Sequence, residues 1–304
     1  MGAGAVGIYY GVRLGRGGAD VRFLLRSDFE IVRGRGSLCI RDAVETLELR
    51  PAHVFADTAD MGPVDLVIVG LKTTSNGELR ALLPPLITEN TAVITLQNGL
   101  GADDAISEIV GPGRVMGALA FIALNRTAPG EVWCYHHGSL TLGEFGRPPL
   151  PRTHGLADQF RAAGIKTEVA ENLASARWHK LVWNIPFNGL SIVGGGISTD
   201  QICVSECLAR RARGLMKEVQ HAAACLGHVI SDEFLGRQFD VTPPMGAYRP
   251  SSLVDFLAGR DVEIESIWGE PLRRAEAAGA RVPELARLYR ELCVALRERG
   301  TAKS

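Results

Sequence analysis

The stretch GAGAVG sets glycines at positions 2, 4 and 7, and this G-x-G-x-x-G constrains the fold more than any other segment of the chain. The three glycines have separate physical jobs. Gly2 permits a tight turn, Gly4 lets the backbone approach a pyrophosphate, and Gly7 lets the following helix pack close to a sheet. The first turn of that helix then offers unpaired N–H groups to an anion. A chain with 35 glycines can produce the pattern by chance, so the context decides. Here the loop opens an apolar helical stretch and is followed by GGADVRFLLR at the distance of a second strand, which predicts a dinucleotide-binding βαβ unit.

A chain that selects NAD places Asp or Glu at the carboxyl end of the second strand, where it holds the ribose 2′-OH. This chain has Arg26 there, followed by Ser27, while Asp20 stands at the other end of VRFLL. Charge-assisted hydrogen bonds from Arg26 to a 2′-phosphate predict NADP, against the alternative of a solvated surface arginine. The strand that should precede the loop, about five or six residues in the middle of a 3-2-1-4 order, has almost no sequence to form it. The expectation is that Met1 is the last residue of that strand, in a shortened or mis-started chain. VRFLL and VDLVIVGL would then face each other across about 10 Å.

At 304 residues the chain exceeds the roughly 100–200 usual for one domain, so two cores are expected. A net charge of -1 shows no basic bias toward nucleic acid, and no polyanion partner is implied. No apolar run approaches the roughly 20 residues that cross a bilayer, and the N-terminus lacks the basic and apolar segments of a secretory signal, leaving a cytoplasmic protein as the default. The six cysteines form no C-x-x-C and suit a reducing compartment. Cys134, His136 and His137 in CYHHG suggest a metal only weakly, because alternation along a strand sends adjacent histidines to opposite faces, and no metal is expected.

The runs VRFLL, VDLVIVGL, TAVITL and VMGALAF alternate with helical stretches, as in a parallel sheet covered on both faces. Gly130 and Gly138 punctuate EVWCYHH and SLTLGEF as an antiparallel hairpin at the sheet edge. A helix over roughly 153–163 and a strand at TEV (167–169) finish this part. The rest reads as helix: a capping box at Ser198-x-x-Gln201 leads into apolar repeats ending at Gly227, and Pro283 starts a last helix carrying Leu285, Leu288, Leu292 and Leu296. The expected fold class is an α/β Rossmann-type domain, its first strand apparently missing, over 1–168, followed by an all-α helical domain over 169–304.

Lys72 and Asn98 each follow a strand, at the carboxyl edge where open α/β sheets bind ligands. QNGLG also reads as an ordinary Asn-Gly turn. In RWHKLVWNIPFNGL, Lys180, Asn184 and Asn188 recur at spacings of four and stack on one helix face among apolar residues. That stripe suits either a ligand wall or a buried hydrogen-bond network, and Pro186 raises the prospect of a kink. Glu263 and Glu265, two residues apart, cannot both point into one site.

Taken together, GAGAVG, LKTT, QNGLG, WHKLVWNIPFN, RPSSLVDFLAGR and VEIESIWG resemble the ketopantoate reductase (2-dehydropantoate 2-reductase) family over nearly the whole chain. The resemblance implies NADPH-dependent reduction of ketopantoate to (R)-pantoate in pantothenate and coenzyme A biosynthesis. Lys180 would be the general acid and Glu263 would hold the substrate hydroxyl. Asn98, Asn184, Asn188, Ser251 and Lys72 would bind the substrate. It places the cofactor on Gly2, Gly4, Ala5, Val6, Gly7 and Arg26, with Lys72, Asn98 and Glu263 beside it. It also implies a homodimer, whose interface the sequence does not show. Where many members continue IDYING, this chain has IESIWGE, which would put bulky Trp268 beside the pocket and keeps another branched 2-keto acid open as substrate. A non-catalytic NADP-binding regulatory protein is the alternative from another class.

Overall fold

Gly4, in extended conformation, releases the backbone into helix α1 (Ala5–Arg16), and Gly17 ends it. The computed structural model describes residues 1–301. The chain divides into two compact units: Met1–Gln97 with Ala102–Leu173, and Asn98–Gly101 with the chain from Ala174 onward.

The first unit contains strands β1 (Arg22–Leu24), β2 (Leu38–Arg41), β3 (Thr46–Leu49), β4 (His53–Phe55), β5 (Leu66–Val69), β6 (Ala92–Thr95), β7 (Val115–Ala128), β8 (Glu131–Glu144) and β9 (Thr167–Val169). Helices α2 (Phe29–Arg35), α3 (Leu79–Leu82), α4 (Ala102–Val110) and α5 (Pro151–Ala162) connect them. β4 pairs with β1 in parallel, and β5, β6 and β7 form a second parallel run. Residues 1–3 lie between the two groups. Met1 N donates to Ile68 O at 2.7 Å, Met1 O accepts from Gly70 N at 2.9 Å, and Ala3 N reaches Leu24 O at 3.5 Å. The resulting order, β4-β1-(1–3)-β5-β6-β7, is that of a dinucleotide-binding sheet with residues 1–3 in the place of its first strand. No other described segment pairs with the facing edges of β1 and β5.

Both faces of the sheet are covered. Ile8, Tyr10 and Val12 of α1 cluster with Ile94, Met116 and Leu140, while Val67 and Val93 point the other way toward Leu79, Leu83 and Ile106. This alternation explains the near-continuous apolar runs of the central strands.

The expected edge hairpin is corrected. EVWCYHH and SLTLGEF form one 14-residue strand, β8, whose antiparallel partner is the equally long β7 across the turn at Gly130. Gly138 marks an irregularity within β8: its φ is +52°, and a Cβ there would lie 1.6 Å from Phe121 O, where the ladder shifts register. The antiparallel pair is not at an edge either, because β8 also pairs in parallel with β2 near its start and with β9 near its end. β2 (LCIR) and β3 (TLEL) escaped the sequence reading because they carry polar residues and lack the continuous apolar run that marks β5 (LVIV) and β6 (AVIT). Their turn is held by the Asp42 carboxylate, which accepts from the backbone N–H groups of Val44 and Glu45.

The second unit is helical: α6 (Leu173–Val193), α7 (Thr199–Val204), α8 (Glu206–Cys225), α9 (Asp232–Asp240), α10 (Ser251–Leu257), α11 (Glu270–Ala277) and α12 (Pro283–Thr301), with a π-helical turn at Glu265–Gly269 leading into α11. α6 runs through Pro186 without interruption and buries Leu181, Val182, Ile185 and Leu190. The single helix expected from Ser198 to Gly227 is instead two. The capping box at Ser198 starts α7, and Ser205, whose hydroxyl accepts from Leu208 N, starts α8 afresh. Leu215, Met216 and Val219 of α8 then pack with Leu285, Leu288 and Leu292 of α12 in one core. The Glu218 carboxylate accepts from the backbone N–H groups of Glu284 and Leu285 and so satisfies the first turn of α12. Among the described residues no helix is long and apolar enough to cross a membrane.

Glu144, at the end of β8, is a buried carboxylate on which the first unit turns into α5. It accepts from Arg152 Nε at 2.9 Å, Arg147 Nε at 3.3 Å and Thr153 Oγ1 at 2.7 Å. Burial pushes its pKa up, but Arg152 and Thr153 outweigh that and hold it below the ordinary carboxylate value. A carboxylate with a depressed folded-state pKa contributes stability above its unfolded value and loses it as pH falls through the folded value. Glu144→Ala is expected to cost about 2–4 kcal/mol in denaturant titration at pH 7. That deficit should shrink at acidic pH, where the wild-type carboxylate is itself protonated.

Candidate functional site

In the first unit the glycine loop is shaped by contact with its neighbours. Gly2 has φ +77°, and a Cβ on it would meet Leu71 N at 2.5 Å; a Cβ on Gly7 would meet Gly2 O at 2.3 Å. Both positions are closed to larger residues by the backbone itself. Gly4 is different: its φ is -75° and a Cβ would find nothing within 4 Å. The fold makes no demand for glycine there, whereas an anion approaching the start of α1 does. The first turn of α1, beginning with Ala5 and Val6, carries no acidic residue, which leaves the positive end of the helix dipole available. The loop therefore fits a pyrophosphate. Lys72 is half-buried just past β5, its carbonyl accepting from Ser75 N at the start of a 3-10 turn, Thr73–Glu78. Arg26 is exposed two residues beyond β1 and pairs with Glu78.

The second unit brings three of the expected residues together. Lys180, half-buried on α6, donates from Nζ to Asn98 Oδ1 at 2.9 Å. Its ammonium is pushed down from 10.5 to about 7, chiefly by burial and further by the Arg177 guanidinium, while the charge of Glu263 acts in the opposite direction. A lysine at that value is poised to give and take a proton near neutral pH.

Asn98 is held in place by the backbone that follows it. Gly99 has φ +83°, and a Cβ on it would lie 2.0 Å from Ser266 O. Leu100 N donates to that same Ser266 O at 2.9 Å, and the buried Arg177 donates to Gly99 O at 3.4 Å. The QNGLG turn thus lies backbone to backbone against the π-helical turn Glu265–Gly269. Ile267 N returns to Glu263 O just before it, at 3.2 Å. π-helical turns of this kind concentrate at functional sites.

The other expected residues separate. Asn184, one turn beyond Lys180, is half-buried and has no hydrogen-bond partner among the described residues. Asn188 is buried and its Oδ1 accepts from Ser252 N at 3.1 Å, so that oxygen is committed to the start of α10. Ser251, the first residue of α10, is exposed. Glu265 accepts from Tyr289 Oη at 2.5 Å and Arg273 Nη1 at 2.8 Å. In CYHHG, His137 is taken up by Asp42 at 2.8 Å, Arg13 at 2.9 Å and Tyr9 at 3.0 Å.

Trp268 requires a correction. Its ring does not stand beside a pocket; it is fully buried in the helical core, with Nε1 donating to Ile185 O at 3.0 Å. Gly189 is the residue that admits it: a Cβ there would lie 3.0 Å from Nε1. A ring with no exposed surface offers nothing to a substrate. Arg177 and Ser266 were missed in the sequence. The signal for Arg177 was its place three residues before Lys180, on the same helix face; a backbone acceptor such as Ser266 O leaves no mark in residue identity.

Gly99→Ala is expected to lower the unfolding temperature measurably, because a methyl group 2.0 Å from a backbone oxygen forces either the turn or the π-helical turn to move. Gly4→Ala, where there is open space, is expected to leave the stability within about 0.5 kcal/mol of the wild type, with little change in unfolding temperature. Thermal melts of the two variants side by side check the contrast.

Comparison with known proteins follows this geometry. The family model described as Ketopantoate reductase PanE/ApbA matches residues 1–147, and that of its C-terminal part matches residues 172–294. A 2-dehydropantoate 2-reductase from Nostoc sp. is 37% identical over 297 residues, covering 96% of this chain and 92% of that protein. The crystal structure of 2-dehydropantoate 2-reductase from Geobacter metallireducens is similar with a TM-score of 0.93 and 37% identity, covering 98% of each chain. That from Methylococcus capsulatus has a TM-score of 0.89 and 31% identity, covering 98% of this chain and 96% of its own. With the two family models matched in order along the chain and a relative 37% identical over 96% of it, the chain belongs to the ketopantoate reductase family of oxidoreductases.

Proposed function

We propose that this chain reduces 2-dehydropantoate to (R)-pantoate with NADPH, and that Lys180 is the general acid. The observation that carries the reading is the half-buried Lys180 ammonium, held by Asn98 and brought to about 7. Bound NADPH supplies the hydride that adds to the C2 carbonyl carbon. As charge develops on the C2 oxygen, the Lys180 ammonium stabilises it and transfers a proton to it, which leaves a neutral amine and a C2 hydroxyl. Asn98 accepts from Nζ and so fixes the direction of the proton, while its own amide N–H groups remain to orient substrate.

Glu263 favours the protonated lysine electrostatically and is proposed to accept a hydrogen bond from the substrate hydroxyl. Asn184, half-buried without a partner among the described residues, and Ser251 are proposed to bind the remaining polar groups. Asn188 contributes through its hold on the start of α10, which carries Ser251. In the first unit Gly2, Gly4, Ala5, Val6 and Gly7 cradle the pyrophosphate, Arg26 takes the 2′-phosphate, and Lys72 lies at the carboxyl end of β5, beside the nicotinamide half. Burial of Trp268 in the core removes the reason to expect a pocket of different volume, so ketopantoate is preferred over another branched 2-keto acid.

The reaction in this direction consumes the protonated lysine. kcat/KM for ketopantoate reduction is therefore expected to be level below pH 7 and to fall about tenfold per pH unit above it, with the reverse oxidation showing the opposite limb. Lys180→Met should lower kcat by about 10²–10⁴-fold while NADPH binding stays close to wild type. The same variant should melt at a higher temperature at pH 7. A lysine whose folded pKa lies below its unfolded value opposes folding wherever the unfolded chain holds the extra proton, and the gain should vanish as pH rises through 10.5. Full activity in Lys180→Met, or no turnover of any 2-keto acid by the wild type, would overturn the proposal.

A further inference from the structure

Two carboxylates lie near the end of β1, and they are in different states. Asp28 is buried and fully committed: it accepts from Arg126 Nη2 at 2.6 Å, Ser27 Oγ at 3.1 Å and Gly130 N at 3.3 Å. It is thereby withheld from an adenosine ribose, although it stands in the segment that supplies the ribose-binding acid in NAD-selective sheets. Glu78 is the opposite case. It ends the 3-10 turn Thr73–Glu78 after β5, and its Oε2 pairs with Arg26 Nη2 at 2.7 Å. Both side chains are roughly half exposed, 56% for Arg26 and 45% for Glu78, so neither is needed to fill the core.

We infer that Glu78 is a specificity-determining residue for the cofactor, setting how strongly Arg26 discriminates NADPH from NADH. The inference rests on the proposed reading in which Arg26 receives the 2′-phosphate. A phosphate monoester carries about -1.5 to -2 charges at pH 7 and competes with the Glu78 carboxylate for one guanidinium. The carboxylate also repels it. A ribose 2′-OH does neither, and it can donate to the same carboxylate oxygen that Arg26 occupies. Glu78 thus weakens the phosphate's claim on Arg26 and favours the plain hydroxyl, so the chain discriminates less than Arg26 alone would allow.

The test is cofactor binding by titration calorimetry of NADPH and NADH to the wild type, Glu78→Gln and Arg26→Ala, at low and high salt. Glu78→Gln is expected to tighten NADPH by about two- to fivefold and to leave NADH unchanged or weaker, since an exposed ion pair is worth up to about fivefold in binding. The NADPH gain should shrink as salt is raised, which a merely structural role would not produce. Arg26→Ala tests the underlying reading separately and should weaken NADPH at least tenfold. Loss of NADPH affinity in Arg26→Ala together with an unchanged NADPH-to-NADH ratio in Glu78→Gln overturns the inference and leaves the reading standing. Unaltered NADPH affinity in Arg26→Ala overturns both. Because Glu78 is exposed, its melting temperature should match the wild type, and a melt run in parallel verifies that the variant is folded.

Discussion

The organisation of the helical unit depends on a single close approach, that of the Gly99–Leu100 backbone to Ser266 O. Only a residue without Cβ and with positive φ can stand at position 99, and the neighbouring N–H of Leu100 then satisfies the carbonyl of a π-helical turn. The turn after β6 is thereby drawn out of the first unit and grouped with the second. Asn98 rides on that turn, and through it the Lys180 ammonium gains an acceptor in surroundings that otherwise strip it of water. The loop, the π-helical turn and α6 are three separate segments of sequence, and the Lys180–Asn98 hydrogen bond exists only where they meet.

The glycine loop follows a different logic. Gly2 and Gly7 are required by the protein's own backbone, while Gly4 is required by nothing in the fold. A glycine with ordinary dihedrals and open space beside it makes sense as room for something that is not protein. The first unit thus offers an anion a glycine loop with room beside Gly4, and the second holds a lysine whose ammonium is pushed down to about 7.

Much of this was legible in the residues. The four-residue spacing of Lys180, Asn184 and Asn188 survives as a helix face. What the spacing could not reveal was that the three polar residues have different partners. Asn188 is diverted to Ser252 N because α10 happens to start beside it, and no local pattern announces that contact. Trp268 misled for a related reason: a large residue near a functional motif suggests a pocket wall, but Gly189, far away in sequence, opened a slot for it in the core. In the fold, β2 and β3 lacked the continuous apolar run that marked β5 and β6, and Gly138 read as a turn because a bulge and a turn ask the same positive φ of the backbone.

The sequence by itself determined the α/β-then-α architecture, the strained turn at Gly2 and the shared helix face of Lys180, Asn184 and Asn188, since hydrophobic period, glycine placement and helix spacing are local properties that residues declare directly. Tertiary structure alone decided the state of each charged group. The Lys180 ammonium is pushed down to about 7 because burial and Arg177 outweigh Glu263. Asp28 is locked and Glu78 is available because Arg126 and Gly130 reach one carboxylate and not the other. Those outcomes depend on desolvation and on distances between segments far apart in the chain, which amino-acid identity does not encode until the chain has folded.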